Sequence, residues 1–170
     1  MLLRYNKIMQ KRTSKKSWKF LIMIKTEEFR EAIENNDIKT IQLLLKDKNV
    51  EPNFFDNYAI CYASKKGYFK VVKLLLNEPS VCPAGDNNYS IRYASKNGHI
   101  NLVKLLLKDE RVNPAAGFNF AICKSYKNQH INIVNLLWQN KKIKNTLKKD
   151  NLELYNTLTQ EDIKNKVGDF

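Results

Sequence analysis

The residues able to do chemistry in this chain are few, and their spacing suits none of the usual tasks. Its two histidines, His99 and His130, stand 31 residues apart, with no cysteine or carboxylate beside either at ligand spacing. Two such residues make neither a metal site nor a catalytic pair. The three cysteines, Cys61, Cys82 and Cys123, are an odd number and form no Cys-x-x-Cys pair. This argues against a zinc site and a disulfide framework and points to a reducing compartment inside a cell. Only five glycines are present, so a phosphate-cradling Gly-rich loop is nearly excluded. There is no nucleophile motif and no pair of catalytic carboxylates. The expectation is no enzyme, no metal and no cofactor.

What remains is charge. Thirty Lys and Arg against 17 Asp and Glu give a net charge of +13 over 170 residues. The excess is uneven: residues 1–25 hold eight basic residues and no acid. The cluster Lys11-Arg12-Thr13-Ser14-Lys15-Lys16 suits a nuclear-import patch, an anionic surface or a solvated tail. The apolar run Phe20–Ile24 is too short for a secretion signal, and nothing approaches the ~18 apolar residues of a membrane span. Lys65, Lys96 and Lys127 are different. They recur at the same 31-residue interval as the histidines, which leads back to the elements that carry them.

That interval organises the chain. Tyr58–Pro83 laid on Tyr89–Pro114 gives 14 identities in 26 positions without a gap. The shared residues are a Tyr-x-Ile-x-Tyr-Ala-Ser-Lys block, then Gly67 and Gly98, a Val-Lys-Leu-Leu-Leu run, and Pro83 and Pro114. A period of 20–50 residues marks a stacked-repeat architecture. The register extends forward through Phe120, Ile122, His130, Val134 and Leu137. It extends backward through Phe29, Ala32, Ile41, Leu44, Val50 and Pro52. Asn36 and Gln129 stand where the inner units have glycine, and Asn takes the left-handed conformation tolerably. Four units follow, over residues 26–56, 57–87, 88–118 and 119–140, with worn outer ones as expected of terminal repeats.

Each unit splits at its glycine into two short amphipathic helices. Asn57, Asn88 and Asn119 stand where an N-cap belongs, and the Val and Pro after the second helix end it. Helices under about 12–15 residues are marginal alone, so the leucines need neighbouring units to bury them. Thr26 with Glu27 and Glu28 reads as a helix start. Residues 1–25 read as a basic tail, in which Trp18–Ile24 folds over the open end. Residues 141–170 read as a helical cap, opened in part by Asp150 with Glu153. Cys61 and Cys123 are two whole units apart, beyond disulfide reach.

Tyr58–Tyr68 and Tyr89–His99 stand where ankyrin repeats carry Thr-Pro-Leu-His-x-Ala-Ala-x-x-Gly-His, and Val-Lys-Leu-Leu-Leu matches their second helix. The chain therefore resembles an ankyrin-repeat protein over about residues 26–140. Departures are plain: Tyr-Ala, Tyr-Ser or Phe-Ala replaces Thr-Pro, and Cys61, Arg92 or Cys123 replaces the motif's first His. Each unit is two residues shorter than the usual 33, so shorter or less regular hairpins are expected. The Tyr-Ala-Ser variant is most similar to the ankyrin arrays of large amoeba-infecting DNA viruses.

The resemblance implies an all-α solenoid of stacked helix pairs, acting as a non-catalytic protein-interaction adaptor through its hairpins and the exposed side of its first helices. The corresponding candidates are Phe54, Phe55, Asn57, Lys65 and Lys66 in the second unit. In the third they are Asp86, Asn88, Lys96 and Asn97, and in the fourth Asn119, Lys127 and Asn128. The lysine row and the paired phenylalanines suggest an acidic protein partner with an apolar anchor. His99 and His130 match a structural histidine of the family. A viral protein engaging host proteins follows by analogy. The alternative is nucleic-acid or anionic-surface binding through the basic tail. Against nucleic acid, arginines are few and the aromatics fall mostly in core register. A monomer is expected, intracellular, in the cytoplasm or a host cytoplasm, with the nucleus open.

Overall fold

The computed structural model describes residues 15–167, with side chains over residues 18–161. Residues 1–14 therefore lie outside the described residues, as do residues 168–170; of the basic cluster Lys11–Lys16 only Lys15 and Lys16 are described, at the start of the first helix. Ten helices and no strand are present among the described residues. They pair as α1 (Lys15–Glu34) with α2 (Ile38–Leu44), α3 (Phe54–Lys66) with α4 (Phe69–Leu75), and α5 (Gly85–Lys96) with α6 (Ile100–Leu106). Then come α7 (Ala116–Lys127) with α8 (Ile131–Trp138), and α9 (Lys141–Asp150) with α10 (Leu152–Val167). The first helices α1, α3, α5, α7 and α9 touch in sequence and form one row; α2, α4, α6 and α8 form a second. This is the all-α solenoid that the 31-residue period predicts.

The core lies between the two rows. Ile60, Ala63, Ile91, Ala94, Ala121 and Ile122 come from the first row and are fully buried. Val72, Leu75, Val103, Leu106 and Leu137 meet them from the second. In each leucine triplet the middle residue is enclosed, while Leu74, Leu76, Leu105 and Leu107 are half-buried. The triplet thus needs fewer covering neighbours than an all-round apolar helix. Trp138 closes the far end edge-on against Tyr155 at 5.6 Å.

The helix ends are tied by neighbouring units. Gly67 ends α3 at φ +79, and Asn36, Gly98 and Gln129 also have positive φ at +55, +82 and +59. The Lys65 carbonyl accepts from Asn97 Nδ2 at 2.8 Å and pairs with His99 Nε2 at 3.1 Å. The Lys96 carbonyl repeats this with Asn128 at 2.8 Å and His130 at 3.1 Å. Both imidazoles thereby satisfy carbonyls that a helix C-terminus leaves open. Each imidazole also lies on the preceding unit's glycine: a Cβ at Gly67 would stand 2.6 Å from the His99 ring.

Two expectations about helix starts are corrected. Thr26 opens no helix, because α1 runs unbroken from Lys15. With no breaker in Trp18–Ile24 the helix continues, and the Thr26 hydroxyl bonds back to the Ile22 carbonyl at 2.9 Å, the usual outlet for a mid-helix Thr. Asp150 ends α9 instead of opening α10, which is capped by Asn151 Oδ1 accepting from the Leu154 N–H at 3.0 Å.

Candidate functional site

The exposed side of the first helices begins in an unusual backbone. Phe55, Asp56 and Asn57 have φ/ψ of +43/+58, +52/+48 and +66/+34, close to the left-handed helix at about +57/+47. Asp86, Asn87 and Asn88 repeat it, as do Gly117, Phe118 and Asn119. Such a turn costs about 1–2 kcal/mol per residue bearing a Cβ. Asn, Asp and Gly, the residues that tolerate it best, fill seven of its nine positions.

The asparagine closing each turn is not an N-cap, contrary to expectation. An N-cap sits in extended backbone, whereas the φ of Asn57, +66, directs its amide elsewhere. Asn57 Oδ1 accepts from the Cys82 N–H, and Asn88 Oδ1 from the Asn113 N–H, both at 2.6 Å. Asn119 donates to Asp150 Oδ2 at 2.7 Å and accepts from the Thr146 hydroxyl at 2.9 Å. All three are buried; Asn57 and Asn88 fasten the closing loop of their own unit back to its start, and Asn119 fastens the fourth unit to α9. Asn97 and Asn128 are engaged with the Lys65 and Lys96 carbonyls. Phe54 is 7% exposed and packs edge-on against Phe29 at 6.1 Å.

The other candidates reach solvent. Phe55 is 76% exposed. Lys65, Lys66, Asp86 and Lys127 are exposed, and Lys96 is half-buried. Rings lie between the cations. Tyr58 and Tyr62 stack at 5.5 Å, and Tyr89 and Tyr93 at 3.9 Å. Lys66 lies over Tyr62 at 5.5 Å, Lys96 over Tyr93 at 5.4 Å and Lys124 over Phe120 at 5.6 Å. The aromatics of this face are therefore interleaved with basic residues, not confined to core register. Tyr58 is fixed by its hydroxyl, which donates to Glu34 Oε1 at 2.6 Å, while Arg30 holds that carboxylate at 2.6 Å. Burial, then the Glu34 bond, pushes the Tyr58 phenol up to about 12.

Between the second and third units this face opens into a groove of about 420 Å³. Phe55, Tyr58, Tyr62 and Tyr89 line it, with Cys61, 8% exposed, beneath. Asp56 and Asp86 enter from two successive left-handed turns, and Lys65 from the last turn of α3. Burial pushes the Cys61 thiol up to about 11, with Asp86 and Asp56 adding to the rise. A thiol so placed stays protonated at neutral pH and is a poor nucleophile.

The equivalent place between the third and fourth units is filled. Arg92 occupies the position of Cys61. Its guanidinium lies 4.7 Å from the Phe120 ring centre and 5.8 Å from that of Tyr93, and Nη1 donates to the Asn87 carbonyl at 3.4 Å. A Cβ at Gly117 would sit 3.1 Å from its Nε. Neither Arg92 nor Phe118, which is 85% exposed, was among the sequence candidates. Arg92 was legible as one member of the 31-spaced column Arg30, Cys61, Arg92, Cys123. Phe118 was not legible from the register, since Phe55 aligns with Asp86 and Gly117 and Phe118 with Asp56 and Asn87.

Among the described residues no group of His, Cys, Asp and Glu could hold a metal ion, and no helix is long and apolar enough to cross a membrane. The family model described as ankyrin repeats (3 copies) matches residues 29–116, just over half the chain. No curated protein matches the chain.

Proposed function

The chain belongs to the ankyrin-repeat family, and on that premise we propose that it is a non-catalytic adaptor that binds an acidic segment of a protein partner along the first-helix row. One observation carries this reading. Lys65, Lys66, Arg92, Lys96, Lys124 and Lys127 present cations from three successive units. None forms an ion pair among the described residues, whose four pairs involve Lys25, Arg30 and Arg111. A row of unpartnered like charges raises the encounter rate with an opposite surface and penalises wrong partners. Phe55 supplies the apolar anchor, without Phe54, which belongs to the core.

The similarity of the Tyr-Ala-Ser units to viral ankyrin arrays supports a host protein as the partner. The odd number and wide spacing of the three cysteines accord with work in a reducing compartment. The test is capture from host-cell lysate followed by kinetics with the identified partner. Lys65→Glu/Lys96→Glu/Lys127→Glu should slow association at least tenfold at low salt, and Phe55→Ala should speed dissociation. Equal association by the triple variant would refute the assignment of binding to the first-helix row.

A second reading, contact with nucleic acid or an anionic surface, has its own support. Residues 1–25 carry eight basic residues and no acid. α1 exposes Trp18, Phe20, Met23 and Ile24. Its measure is the salt slope: deletion of residues 1–25 should flatten a steep log-log dependence. Nucleic-acid association unchanged by the deletion excludes it.

A further inference from the structure

We infer that the groove above Cys61 receives a cationic side chain of the partner, an arginine by preference, and that this side chain stands within an otherwise acidic segment. The inference rests on the protein-binding reading and makes its recognition chemistry specific. The reason is internal to the molecule. One unit further on, the same groove is already occupied by a guanidinium, supplied by the chain's own Arg92.

Four residues that Arg92 contacts correspond, at the 31-residue offset, to residues lining the open groove. Phe120, which it covers at 4.7 Å, corresponds to Tyr89. Tyr93 corresponds to Tyr62, and Asn87, whose carbonyl it reaches at 3.4 Å, to Asp56. Gly117, which crowds its Nε, corresponds to Asp86. The second unit thus keeps the ring surfaces and the turn backbone but replaces the long cation by the short thiol of Cys61. The volume left is about 420 Å³.

The charge of the two places differs in the sense this requires. Where the chain supplies its own cation, the turn positions are Asn87 and Gly117, both neutral. Where it supplies none, they are Asp56 and Asp86, and neither carboxylate has an ion-pair partner among the described residues. Their backbones stand at φ +52 and +46 in two successive turns, and both residues reach the groove from its rim. A guanidinium stacks on tyrosine faces and binds carboxylates bidentately; an ammonium does the first less well and the second not at all. Lys65, on the same groove, meets an acidic residue beside the incoming cation, which joins this site to the lysine row.

The experiment uses the full chain and three blocked tripeptides, Ac-Gly-Arg-Gly-NH2, Ac-Gly-Nle-Gly-NH2 and Ac-Gly-Glu-Gly-NH2, followed by two-dimensional NMR. The arginine peptide should give saturable shifts confined to residues around Tyr58, Cys61, Tyr62 and Tyr89, and the other two should give none. Asp56→Asn/Asp86→Asn should weaken its binding roughly tenfold, the equivalent of one lost charge-assisted contact. Cys61→Arg should abolish the shifts, with an unchanged circular dichroism spectrum showing that the chain still folds. Arginine and norleucine peptides that shift the same residues alike would overturn the inference, as would arginine binding unaffected by the Asp→Asn pair. A protein partner bound equally by wild type and Cys61→Arg would overturn the groove assignment and leave the protein-binding reading standing.

Discussion

The junction between the second and third units and the junction between the third and fourth share a backbone and differ in one filled space. Both have a left-handed turn, an asparagine reaching forward to a main-chain N–H at 2.6 Å, and an imidazole lying on the preceding glycine. Across the first, Cys61 leaves an aromatic groove flanked by two carboxylates. Across the second, Arg92 fills the equivalent volume by stacking on Phe120. The difference separates two jobs that repeat sequences usually blur. Residues that recur at 31 hold the stack together. Residues that change within a column decide what each junction shows to solvent.

The comparison breaks most decisively in the core. Leu75→Ala and Leu106→Ala remove fully buried side chains and should each cost about 2–5 kcal/mol, by similar amounts, in urea unfolding. A large disparity would mean that the two junctions do not share one core.

Next come the forward-reaching asparagines. Asn57→Ala and Asn88→Ala each leave a main-chain N–H without its acceptor and remove the residue suited to positive φ. Each should cost about 1–3 kcal/mol. Loss at one site alone would undo the equivalence of the turns.

The asymmetric prediction is smaller. Arg92→Ala removes a guanidinium stacked over Phe120 and should cost about 0.5–2 kcal/mol. Cys61→Ala removes a thiol with no comparable stack and should lie within ~0.5 kcal/mol of wild type. Equal costs would say that the filled groove gains nothing from its filling.

The smallest effect is titration. The Tyr58 phenol sits at about 12 in the folded chain, against about 10 for a free tyrosine. The unfolded chain therefore gives up this proton first, so the contribution of Tyr58 is complete below pH ~10 and fades as pH rises toward ~12. Tyr58→Phe should lack that part of the alkaline slope in a series of thermal melts; an identical slope would show that the phenol is not held in its half-buried place beside Glu34.

Much of the fold was legible in the sequence because repetition is visible without coordinates. The 31-residue beat predicts the helix pairs, the burial of Leu75 and Leu106, and the positive φ at Asn36. The site was less legible because its features depend on backbone handedness. Phe54 and Phe55 are the same residue type side by side. Only the left-handed turn starting at Phe55 sends one inward and the other to solvent. That turn also diverts Asn57 and Asn88 from the expected caps to the closing loop of their own unit, and Asn119 to α9. Thr26 misled for a plainer reason: a capping residue followed by acids resembles a start even where the preceding residues already support a helix. The groove needed the comparison of two three-dimensional places, because Cys61 and Arg92 share a column without sharing any chemistry.

The left-handed turns also bear on how such a chain can change over generations. A loop built on that hand draws on a narrow alphabet, since most side chains there cost stability, so the positions of Phe55, Asp56 and Asp86 tolerate fewer substitutions than the helix behind them. The column of Cys61 and Arg92 has no such restriction, being ordinary right-handed helix. A single side chain in that column, Cys61 against Arg92, separates the open junction from the filled one.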